Sequence, residues 1–232
     1  MIKRLVLLPG MVGTGDLFAD FVSALPDGFE TGIVRYPTEI FLSYSELMPL
    51  VQSLAPASEP FVLVAESFST PLAIQFAATN PPNLKGLVLC AGFASSPARG
   101  WAHYFSSLLS PFLFRVPLPD FAAELWLVGP NASPALLSAL KSAILSVRAR
   151  VLSARFRAVL DCDARTELAQ AAVRILYLQA EQDCLVPASC LEEIRRIKPQ
   201  TLVTEIQGPH LLFQRKPRET AGNVARFAQQ LE

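Results

Sequence analysis

The sequence predicts an α/β fold, a mostly parallel sheet of about six strands flanked by helices and carrying a helical lid insertion. Three observations lead there. Short runs rich in Leu and β-branched residues alternate with amphipathic stretches along the chain. Those runs are apolar without interruption, as strands are when helices cover both faces of a parallel sheet. Residues 93–171 contain no good strand and several helix-like pieces rich in Leu, Phe, Trp and Ala, so they interrupt the rhythm.

Each element can be justified in turn. Arg4–Leu8 reads as a buried first strand, ended by the Pro9-Gly10 turn. Leu17, Phe18, Phe21, Val22 and Leu25 then recur at helical spacing. Residues 31–36 form the second strand, stopped by Pro37. Ser43 and Glu46 have the spacing of a capping box for a helix running to about Leu54, although Pro49 argues for a later start. Residues 61–65 are the third strand and 70–79 the helix after it, ended by Pro81-Pro82. Residues 87–91, 173–178 and 202–206 make the fourth, fifth and sixth strands. A helix at 189–197 lies between the last two, and a closing helix starts at about Pro217 with Val224, Phe227, Ala228 and Leu231 as its stripe.

The chain of 232 residues is 51 % hydrophobic and includes fifteen Phe, enough for one domain, 1–232, with a full core. Residues 93–171 are its cap insertion. Lying outside the carboxyl ends of the strands, where ligands bind in such sheets, they read as a lid; the alternative is that they complete the core. Twenty basic residues balance twenty acidic ones, which gives no reason to expect nucleic acid and suits a neutral or apolar small molecule. The apolar run at the N-terminus is too short for a signal peptide, and Pro9-Gly10 ends it. No stretch is long and apolar enough for an integral membrane segment. The nearest, residues 108–128, is broken by Pro111, Arg115, Pro117, Pro119, Asp120 and Glu124. These features lead us to expect a cytoplasmic protein with its four cysteines reduced, a Cys184–Cys190 disulfide being the minority alternative. With two histidines and no CxxC pair, neither a metal nor any other cofactor is expected.

The chemistry points to three strand ends. The third strand runs through Ala65-Glu66-Ser67-Phe68-Ser69 into a helix, the strand-turn-helix context of a nucleophile elbow. Ala65 and Ser69 stand where such elbows usually have glycine, so the motif is degenerate, and by itself it reads more readily as a helix N-terminus capped by Ser67 or Ser69. His210 follows the sixth strand. The other histidine, His103, lies in the insertion and reads as structural or solvated. The acid belongs after the fifth strand, where Asp183 is the first choice and Glu181 the second; Asp161 and Asp163 read as surface groups. The order Ser, acid, His is the one this chain topology requires. Gly10 after the first strand allows close backbone approach, so the N–H groups of Met11 and Phe68 are the expected oxyanion donors.

The segments LLPGMVGTG, LVAESFSTPLA, LQAEQDCLVP and GPHLLF together resemble the α/β-hydrolase superfamily, specifically its small esterase and lipase-like members. The first two also resemble the esterase/lipase/thioesterase relatives that include plant phytyl ester synthases. The resemblance covers the chain outside the insertion. It implies a carboxylic ester hydrolase with Ser67 as nucleophile, His210 as base and Asp183 as acid, acting on a small-molecule ester or an acyl thioester. The sequence departs from the pattern at Pro9-Gly10, where many relatives have His-Gly, and at both elbow glycines. The antiparallel strands that open larger members are also missing. Trp101, Tyr104, Phe112 and Trp126 of the insertion are candidate substrate-binding residues, or else the core of the insertion itself. Arg148, Arg150, Arg155 and Arg157 offer a basic lip for a carrier-borne thioester, or plain helical surface charge. Acyl transfer on the same triad and a ligand receptor built on the same scaffold are the other readings.

Overall fold

A computed structural model describes residues 2–98, 114 and 118–231. Six parallel strands form one sheet in the order β2-β1-β3-β4-β5-β6. They are β1 (Arg4–Leu8), β2 (Glu30–Ile33), β3 (Phe61–Glu66), β4 (Leu84–Cys90), β5 (Arg174–Ala180) and β6 (Leu202–Ile206). The central strands are apolar throughout because both faces are covered. Val6, Leu8, Leu63, Ala65, Leu87, Leu89 and Tyr177 point to one face. Leu5, Leu7, Val62, Val64, Val88, Cys90, Leu176 and Leu178 point to the other. This is the two-residue alternation of a pleated strand applied to a sheet with no wet side.

On the first face lie α2 (Tyr44–Leu54), α3 (Thr70–Ala78), α7 (Arg165–Gln170) and α8 (Ala188–Ile197). On the second lie α1 (Ala19–Ser23), the short α9 (Leu212–Arg215) and α10 (Pro217–Gln229). Phe213 meets Phe18 and Phe21 edge to face beneath them, with centroids 5.5 and 4.5 Å apart.

Some boundaries differ from expectation for identifiable reasons. The predicted helix after the first loop splits into a 3-10 turn, Asp16–Phe18, and the short α1, because Gly15 enters it with a positive φ of 77°. Strand β2 stops at Ile33, and Tyr36 instead donates its N–H to Gly13 O in the loop after β1. The Ser43/Glu46 capping box is formed, and α2 begins directly after it rather than beyond Pro49. Proline is tolerated there because Pro49 and Ser45, whose carbonyl loses its helical donor, lie on the exposed face where water serves it.

Between β4 and α7 the described residues include three helices and a π-helical turn: α4 (Asp120–Ala123), the turn Glu124–Val128, α5 (Pro134–Leu145) and α6 (Ala149–Asp161). This segment leaves and returns through a narrow neck. Ser95 and Asp163 form an antiparallel bridge, flanked by Ser96 N–H to Cys162 O and Ala164 N–H to Ala94 O. Past the neck, Leu168 of α7 already belongs to the main core. Among the described residues no helix is long and apolar enough to cross a membrane.

Candidate active site

Three loops at the carboxyl ends of β3, β5 and β6 converge. Ser67 follows β3 directly and opens a 3-10 turn, Ser67–Ser69. Its φ is +48°, a left-handed value that a residue with a Cβ holds only where its surroundings enforce it, at a cost of about 1–3 kcal/mol. Thr70 Oγ1 lies 2.8 Å from Ser67 O and accepts the Phe93 N–H at 3.0 Å, fastening the turn to the loop after β4. His210 Nε2 lies 2.8 Å from Ser67 Oγ, and His210 Nδ1 lies 2.8 Å from Asp183 Oδ2. The His210 and Asp183 side chains are only 4 % and 5 % exposed, so the contacts are shielded from competing water.

Asp183 uses both its oxygens. Oδ2 faces the imidazole, while Oδ1 accepts the N–H groups of Leu185 at 2.8 Å and Val186 at 2.9 Å. One carboxylate thus closes its own turn and reaches the His210 ring. Gln182 N–H donates to Gly208 O at 3.0 Å, tying the loop after β5 to the one after β6. Glu181, the second-choice acid, is exposed, and Asp163 pairs at the surface with Arg165.

The loop after β1 closes the site. Gly10 to Gly13 is a turn, with Gly13 N–H on Gly10 O at 3.0 Å, and Met11 is its second residue. Phe68 is the second residue of the 3-10 turn, where an N–H has no intrahelical acceptor. Among the described residues neither the Met11 nor the Phe68 N–H is paired with an acceptor. Ser69 explains how the elbow dispenses with its second glycine. Its backbone is ordinary, at φ −83°, and its hydroxyl donates to Pro9 O while accepting from Tyr36 OH at 2.6 Å. The side chain that a glycine would lack is thus the tie between elbow and loop. Glu66 is buried beside them, with Oε2 accepting Gly10 N–H at 3.2 Å; burial raises its pKa against the opposing pull of nearby His210.

Arg155 of α6 is a residue whose place sequence reasoning missed. It is 1 % exposed, and its guanidinium donates to Met11 O at 2.9 Å, Val12 O at 2.8 Å and Pro37 O at 2.8 Å while lying over the Tyr36 ring. Burial lowers its pKa to about 10, which still leaves it charged at neutral pH. The available signal was helical period: Val151, Leu152, Arg155 and Val159 share one buried stripe. Arg155 therefore belongs neither to a basic lip nor to the surface charge of the helix. Arg155 is interior, and Arg148 and Arg150 bind the Glu39 carboxylate and carbonyl respectively.

The substrate-binding candidates Trp101, Tyr104 and Phe112, and also His103, lie outside the described residues. Trp126 is 43 % exposed, beside Leu127, whose carbonyl accepts the N–H of Leu211 next to the imidazole. An apolar cluster of Val147, Val151 and Leu152 packs against Met11, Val12 and Phe114.

Comparison with known proteins yields no matching family model and no matching curated protein. Solved structures do match. A bromoperoxidase from Bacillus anthracis superposes with a TM-score of 0.84 at 16 % identity, covering 99 % of this chain and 92 % of that one. An enol-lactonase from Burkholderia xenovorans gives 0.82 at 14 % identity with the same coverage. An esterase from Exiguobacterium antarcticum gives 0.80 at 12 % identity over 98 % of this chain and 92 % of its own.

Proposed function

Proceeding from the α/β-hydrolase fold that the chain shares with these structures, we propose that the protein is a serine hydrolase that cleaves carboxylic esters through an acyl-enzyme. The observation that carries this reading is the continuous contact from Ser67 Oγ through the His210 ring to Asp183 Oδ2, 2.8 Å at each step. In this mechanism His210 Nε2 takes the Ser67 proton as Oγ bonds to the ester carbonyl carbon. Asp183 holds the tautomer that exposes Nε2 and balances the imidazolium. The Met11 and Phe68 N–H groups receive the developing oxyanion, a donor of this kind being worth about 3–4 kcal/mol. As the tetrahedral intermediate collapses, the C–O bond to the alcohol breaks and His210 returns its proton to the leaving oxygen. Water deprotonated by His210 then attacks the acyl-enzyme, and the acid leaves as Ser67 recovers its proton.

The apolar side chains around Met11 support an ester whose acyl or alcohol part is apolar. An acyl thioester would meet the same three groups, so acyl-CoA belongs in the same substrate panel. The deciding experiment is turnover of a p-nitrophenyl ester series by the wild type and by Ser67→Ala. Loss of turnover in the variant, with fluorophosphonate labelling of the wild type alone, is expected; equal activity in the two removes Ser67 from the chemistry.

A further inference from the structure

The loop after β1 can be accounted for group by group. Every carbonyl from Pro9 to Gly13 has a donor inside the protein. Pro9 O receives the Ser69 hydroxyl, Gly10 O the Gly13 N–H, and Gly13 O the Tyr36 N–H. The remaining two, Met11 O and Val12 O, both receive Nη1 of Arg155. A trans peptide sends its N–H opposite to its C=O. Turning the Gly10 and Met11 carbonyls inward therefore turns the Met11 and Val12 N–H groups away from those donors. Among the described residues neither of these N–H groups has an acceptor. The middle peptide of the turn, between Met11 and Val12, is the unit that flips when a β-turn changes type. Arg155 grips it on its carbonyl side.

We infer that Arg155 is a positioning residue for the oxyanion loop: a buried guanidinium from the insertion that fixes the Met11–Val12 peptide and keeps its neighbouring N–H groups presented to the reacting carbonyl. The inference rests on the reading of Met11 as an oxyanion donor. Among the described residues no carboxylate pairs with Arg155; its partners are backbone carbonyls and the Tyr36 ring. The planar fork reaches three carbonyls in two loops from two separate nitrogens, Nη1 and Nη2, where an ammonium has a single one. Space is matched to the group as well, since a Cβ on Gly13 would sit 2.7 Å from Nη1.

The test uses the full chain with Arg155→Met and Arg155→Lys. Peptide-resolved amide exchange reads the loop directly, and fluorophosphonate labelling and p-nitrophenyl ester kinetics read the chemistry. For Arg155→Met, exchange at residues 11–13 is expected to rise at least about tenfold while β3 and α3 keep their protection. The labelling rate and kcat should both fall about 100-fold with KM little changed, as expected when a preorganised donor is misplaced. Arg155→Lys should fall between. A folded Arg155→Met with wild-type exchange and wild-type kcat overturns the inference, as does a loss of kcat matched by a global loss of protection. If the methionine variant does not fold, a folded and fully active Arg155→Lys overturns it instead. A wild type that turns over no ester defeats the ester reading, and the exchange at residues 11–13 then decides on Arg155 alone.

Discussion

Ser69→Gly restores the glycine that nucleophile elbows usually carry, and the structure predicts that it weakens this protein. The Ser69 hydroxyl is fully buried, donates to Pro9 O and accepts from Tyr36 OH. Its removal leaves a buried carbonyl and a buried phenol unpaired, at about 1–3 kcal/mol each. Glycine adds about 0.5–1 kcal/mol of backbone entropy with nothing in return, because φ at this position is −83° and needs no left-handed freedom. A water entering the vacated space recovers part of this, so a net loss of about 3–5 kcal/mol is expected. Urea unfolding at equilibrium measures it: with a slope of about 3 kcal/mol per M, the midpoint should drop by about 1 M or more. Ser69→Ala isolates the hydrogen bonds and should lose most of the same amount. Combined with Tyr36→Phe, its effects should be less than additive, since both remove one shared bond. A glycine variant within 0.5 kcal/mol of wild type, or above it, would refute the claim that the hydroxyl is a structural tie (about 0.5 kcal/mol is the usual scatter for neutral sites).

Other consequences can be measured in the same preparations. Burial raises the Glu66 pKa above its ordinary 4.5, so the folded state holds that proton more tightly than the unfolded state does. Its contribution to stability is therefore complete below about pH 4.5 and declines as pH climbs to the folded value. Glu66→Gln does not titrate, so above pH 4.5 its stability should gain on wild type by up to about 1.4 kcal/mol per pH unit; parallel urea profiles from pH 4 to 8 would contradict this. Gly13→Ala forces a Cβ into φ +80° and against Arg155 and Tyr36, and should cost about 2–4 kcal/mol in thermal unfolding along with ester turnover. Gly222→Ala, in the interior of α10 with nothing within 4 Å, should instead add about 0.5–1 kcal/mol. Of the four free thiols, Cys184 is exposed and Cys90 buried, so Ellman's reagent should titrate Cys184 at once and Cys90 only after denaturation.

The strands were legible because a parallel sheet writes itself as unbroken apolar runs; 202–206 matches β6 at both ends. The Ser43 capping box was legible because it is a local interaction across three residues. Ser67, Asp183 and His210 could be chosen because strand order dictates which loops meet, even though the elbow lacks its glycines. Arg155 and Ser69 were not legible in this way. Their partners lie 144 and 60 residues away, and no local pattern distinguishes a charge on a buried stripe from one at its edge. Residues 93–171 were readable as an insertion with helical pieces, but not the neck at Ser95 and Asp163, which is formed by two short segments without strand character of their own.

The distribution of the site along the chain bears on synthesis. Ser67 is translated long before His210, 143 residues later, and the guanidinium that braces Met11 also comes from the second half. On the proposed mechanism, a ribosome-bound chain holding only β1 to β4 carries the Ser67 hydroxyl without His210 and without Arg155 beside Met11, so it should stay unreactive toward acylating agents until residue 210 emerges. Ribosome-arrested nascent chains of increasing length, probed with fluorophosphonate, should label only once residue 210 has cleared the exit tunnel; labelling of the short chains would show that the early half is reactive alone.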